Sequence, residues 1–114
     1  LLLFAEAQNE LGFQSVAAQY VNMVRNRKSV NMPSISSSLS KNEMRQAVRH
    51  ERRIELGMEG TYLYDLLRWG IYLQEMEKEY PGSGWEKSDY LLLWPIPQDE
   101  LDVNPSLTQN PGYN

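Results

Sequence analysis

Residues 51–70 read ERRIELGMEGTYLYDLLRWG, and this stretch decides how the rest of the chain is arranged. Glu51, Glu55 and Glu59 follow one another at i, i+4 spacing, so a helix lines three carboxylates along one face. Like charges at that spacing are mildly destabilising unless they are answered. Arg52, Arg53 and Arg68 lie within reach, and with Asp65 they complete a predicted structural charge network of Glu51, Arg52, Arg53, Glu55, Glu59, Asp65 and Arg68. Beyond Gly60, the residues Tyr62, Leu66, Trp69, Leu73 and Met76 step by four, three, four and three, which is one continuous apolar stripe. The stretch therefore predicts two helices meeting at a charged junction. Charge at such a place costs desolvation, and arginine forks are the groups best suited to offset it.

Working outward toward the start, Ser40 with Glu43 three residues later forms a capping box, so a helix opens there and runs to about Glu59 despite Gly57. A glycine inside a helix costs about 1 kcal/mol against alanine, and Gly57 predicts close packing of another backbone. Residues 31–39, NMPSISSSL, are rich in serine and proline and read as an irregular connection. Leu1–Leu11 is a predicted helix closed by Gly12, and Phe13 to about Lys28 is a second, with Val16, Tyr20, Met23, Val24 and Arg27 at helical spacing. So short a turn makes the two antiparallel neighbours. Leu11-Gly12, Ala17 and Tyr20 resemble part of a tetratricopeptide helix pair, although no repeat of roughly 34 residues extends it into an array.

Toward the end of the chain, the second helix of the next pair stops near Tyr80, at Pro81-Gly82-Ser83-Gly84. Asp89–Trp94, stopped by Pro95 and Pro97, reads as an extended buried segment. Gln98–Leu101 predicts one helical turn, and Asn104-Pro105 and Asn110-Pro111-Gly112 predict turns. Leu93, Trp94, Ile96, Leu101, Leu107 and Tyr113 are the expected anchors of this tail over the helices. The fold class is all-α: a TPR-like helix pair over 1–30, a helix pair over 40–80, and an extended, loop-like tail over 81–114.

Composition narrows the function. Net charge is -4 with acids and bases interleaved, which leaves no basic excess to offset phosphate and argues against a nucleic-acid partner. No cysteine is present, so disulfides and thiolate metal sites are excluded, and the single histidine, His50, cannot build a zinc site. No metal and no cofactor are expected. No apolar run approaches the ~20 residues that span a bilayer. Leu1-Leu2-Leu3-Phe4-Ala5 has neither a basic leader region nor a cleavage site and reads as the middle of a helix, so the chain is expected to be a piece of a longer protein whose N-terminus lies outside these residues.

The carboxylate ladder also admits an enzymatic reading, since two acids at a suitable separation act as acid and base in glycoside hydrolysis. Three neighbouring arginines would instead keep the acids ionised, so the expectation is a structural network and no catalytic residue. Aromatic rings are better candidates for ligand contact, because a flat ring stacks on the apolar face of a sugar. Tyr62, Trp69 and Trp94 fall in core-like patterns. Trp85 follows a Pro-Gly-Ser-Gly loop and belongs to no apolar stripe, so it is the one ligand-binding candidate.

ERRIELGMEGTYLYDLLRWG, followed at 92–113 by LLWPIPQDELDVNPSLTQNPGY, closely resembles the C-terminal end of the SusD/RagB family of outer-membrane nutrient-binding lipoproteins of Bacteroidetes-type bacteria. AEAQNELG at Ala5–Gly12 and NMVRNR at Asn22–Arg27 resemble two more segments of that family, in the same order. The resemblance implies a non-catalytic protein anchored at the cell surface by an N-terminal lipid outside these residues. It implies a SusC-like TonB-dependent outer-membrane barrel as partner and an oligosaccharide, or in some branches a peptide, as ligand, with the main site outside this segment. The residues alone leave open a different class, a TPR-type protein-interaction subunit.

Overall fold

The Ser40 hydroxyl accepts the Glu43 amide at 3.3 Å, and the Glu43 carboxylate accepts the Ser40 amide at 2.8 Å. This is the predicted capping box, and the computed structural model, which describes residues 1–82 and 88–113, shows the longest helix starting from it. Before it come α1 (Leu2–Glu10) and α2 (Gln14–Arg25), followed by α3 itself (Lys41–Leu56). After it come α4 (Tyr62–Arg68), α5 (Tyr72–Glu79), a 3-10 turn (Asp89–Leu92) and α6 (Gln98–Val103). The described residues contain no strand, so the protein is all-α. The chain divides into two units, Leu1–Tyr62 and Leu63–Asn114.

In the first unit, α1, α2 and α3 pack on one another around Leu2, Ala5, Ala17, Ala18, Val21, Val24, Met44 and Val48. The alanines let the helix backbones approach, and Val21, Met44 and Val48 are fully buried between them. Each such large side chain contributes about 1.5–3 kcal/mol over an exposed one, enough to hold α3, whose other faces are charged, onto the α1–α2 hairpin. Asn9 is buried on α1 and donates from Nδ2 to the Lys41 carbonyl at 3.0 Å, which fixes the start of α3 against the end of α1. The irregular connection is held from α2 by Asn22, whose side-chain amide donates to the Ile35 carbonyl at 3.0 Å and accepts its N–H at 2.8 Å.

Two helix ends fall short of the sequence expectation. α2 stops at Arg25 rather than Lys28, because the chain turns back: Met32 N–H donates to the Arg25 carbonyl at 2.9 Å, and Arg27 Nε takes the Val24 carbonyl at 3.0 Å. α3 stops at Leu56 rather than Glu59. The backbone that crowds Gly57 is that of its own helix, since a Cβ there would lie 2.6 Å from the Arg53 carbonyl oxygen.

The apolar stripe from Tyr62 to Met76 is not one helix. Gly70 takes the left-handed conformation at φ +67, and its N–H and that of Ile71 bond back to the Leu67 and Leu66 carbonyls at 3.0 and 3.1 Å. That is a glycine-terminated helix end, and α5 begins afresh at Tyr72. The tail also differs from the reading of Asp89–Trp94 as an extended buried segment. Asp89–Leu92 forms a 3-10 turn whose amides bond locally, with Leu93 N–H on the Tyr90 carbonyl at 3.1 Å, and the backbone is extended at Ser88 and Leu93 on either side of it. Trp94 is 76% exposed and Leu93 51%, so neither is the buried anchor that the sequence suggested; Ile96, Leu101 and Tyr113 are half-buried. The predicted turn of helix at Gln98 lengthens into α6.

Candidate functional site

The carboxylates on α3 meet arginines from the end of α2. Glu51, 3% exposed, accepts Arg25 Nη1 at 2.7 Å, and the same guanidinium donates through Nε to the Pro33 carbonyl at 2.7 Å. One turn on, Glu55 accepts Arg27 Nη2 with both oxygens, one of them at 2.6 Å. Two acids at i, i+4 are thus answered by two arginines two residues apart, and the pairing ties the end of α2 and the connection after it to the middle of α3. The sequence reading named arginines within the stretch itself and missed Arg25 and Arg27, which lie 26 and 28 residues away. The signal that would have found them is the arginine pair in NMVRNR, matched to the acid pair on α3.

Glu59 is exposed, and with Arg52, Glu55, Leu56, Thr61 and Val24 it lines a groove of ≈ 440 Å³ on the first unit. Arg52 is buried and Arg53 exposed on α3. Asp65, 3% exposed, belongs to the second unit, where one of its oxygens takes both Nε and Nη2 of Arg68 at 2.9 Å. The Arg68 guanidinium also stands 5.0 Å over the Trp69 ring. Of the residues in the predicted network, Glu51 and Glu55 pair with Arg25 and Arg27, which lie outside it, and Asp65–Arg68 is a local pair three residues apart. A carboxylate whose oxygens accept from a guanidinium is engaged as an acceptor and positions helices; proton transfer would require it to leave that partner.

The tail of the second unit is held by side chains gripping backbone. Gln109 accepts the Ile96 N–H at 2.8 Å and donates to the Ile96 carbonyl at 2.9 Å. Asn110 Nδ2 donates to the Trp94 carbonyl at 2.6 Å, and the Tyr113 hydroxyl donates to the Leu93 carbonyl at 2.8 Å. Gln109, Asn110 and Tyr113 of QNPGY thus grip Ile96, Trp94 and Leu93 of LWPI. Beside this grip, Leu63, Leu67, Tyr72, Leu91, Trp94 and Tyr113 are among the residues lining a mostly apolar cleft of ≈ 210 Å³. Trp94 is a large exposed ring at its edge, a position that the reading of this tryptophan as core did not foresee. Trp85, the ligand-binding candidate from the sequence, lies outside the described residues. Among the described residues, no group of three or more His, Cys, Asp or Glu is placed to hold a metal ion, and no helix is long and apolar enough to cross a membrane.

The sequence and fold of this chain have counterparts among known proteins. The model of the SusD family matches residues 1–113. SusD-like protein P25 of Formosa agariphila is 36% identical over 117 residues, covering 99% of this chain and 22% of that protein; SusD-like protein P38 of the same organism is 32% identical, covering 99% and 23%. The crystal structure of a SusD homolog from Bacteroides thetaiotaomicron superposes with a TM-score of 0.76 at 32% identity, over 98% of this chain and 25% of that one. The chain belongs to the SusD family. It spans about a quarter of the length of the relatives it matches.

Proposed function

We propose that this chain is the C-terminal part of a cell-surface protein that captures nutrient glycan without altering it and passes it to a TonB-dependent barrel of the SusC type. The observation that carries this reading is the family match over residues 1–113, together with the structural likeness to a SusD homolog along nearly the whole chain. The site geometry agrees with binding rather than turnover: Glu51 and Glu55, the acids that a glycosidase reading would use, are each engaged by an arginine. In the mechanism, the binding protein lies as a lid on the barrel. Ligand enclosed between the two favours the closed arrangement by its differential affinity for it. The full-length protein is held at the outer-membrane surface by an N-terminal lipid.

The direct test is calorimetric titration of the full-length protein with a panel of oligosaccharides and peptides, followed by mass analysis of each recovered ligand. A glycan that binds and returns unchanged supports the proposal. Binding of peptides alone would replace the ligand class, and a cleaved glycan would make the protein an enzyme.

A further inference from the structure

We draw no further inference here: the strongest candidate, the mostly apolar cleft of the second unit lined by Leu63, Leu67, Tyr72 and Tyr113 with the exposed Trp94 ring at its edge, is an unpartnered apolar surface, and nothing in the structure shows what covers it.

Discussion

Gln109 holds Ile96 by both edges of its side-chain amide, so that one glutamine replaces the strand partner an extended segment normally has. Asn22 does the same for Ile35, also across thirteen residues. In an all-α protein these two clamps satisfy backbone groups that helices cannot reach. Replacing Gln109 with alanine leaves a part-buried N–H and C=O without partners, and the expected loss is about 1–3 kcal/mol of local stability. Hydrogen exchange at the Ile96 amide measures it: slow in the wild type, fast in Gln109→Ala, with the amides of α3 unchanged.

The two arginine–carboxylate pairs should differ in weight. Arg25 and Glu51 are 13% and 3% exposed, so Arg25→Met strands a buried carboxylate and should cost about 3–5 kcal/mol. Arg27 is 47% exposed, and Arg27→Met should cost less than about 1 kcal/mol. Urea midpoints of the two variants decide the matter. Equal effects would contradict the burial argument.

Much of this was legible in the sequence, and what was not has identifiable reasons. The Ser40–Glu43 capping box and the end of α1 at Gly12 are local devices, and both stand where the residues put them. Arg25 and Arg27 were overlooked because pairing between distant turns leaves no trace in local spacing. The stripe from Tyr62 to Met76 reads as one helix because its period survives the break at Gly70, and periodicity cannot report the backbone conformation of a single glycine. Trp94 reads as buried because apolar runs bounded by proline usually are; here its backbone is gripped by Asn110 while its ring faces outward.

Acid should loosen the contact between α1 and α3. Arg45 hydrogen-bonds both oxygens of Glu10 at 2.7 Å, and that bond, opposed by partial desolvation and aided by Lys41, lowers the Glu10 pKa from 4.5 to about 2. A carboxylate depressed in the folded state binds protons more tightly when unfolded, so its contribution is complete above about 4.5 and is lost as the pH falls from there toward 2. The urea midpoint of the wild type should therefore fall over that window. The fall should be shallower in Arg45→Gln, which has less to lose.

Gly112 and Gly70 both have positive φ, +88 and +67, yet they should respond differently to alanine. A Cβ at Gly70 meets open space, so only the conformational cost of about 1–2 kcal/mol applies. At Gly112 it would sit 2.5 Å from Tyr90 Cγ and push away the ring that meets Tyr113 edge-on at 5.1 Å. Gly112→Ala should be the more destabilising of the two. Aromatic ring shifts in NMR spectra should show Tyr90 and Tyr113 displaced in that variant and unmoved in Gly70→Ala.

On the function proposed above, the full-length protein works as the binding partner of an outer-membrane barrel. The most direct measurement is mass spectrometry of the proteins that co-purify with the full-length protein from detergent-solubilised outer membranes. A large TonB-dependent barrel in stoichiometric amount is the expected result. Recovery of the protein from the soluble fraction, or with unrelated proteins in place of a barrel, would contradict it and favour an interaction subunit of another kind.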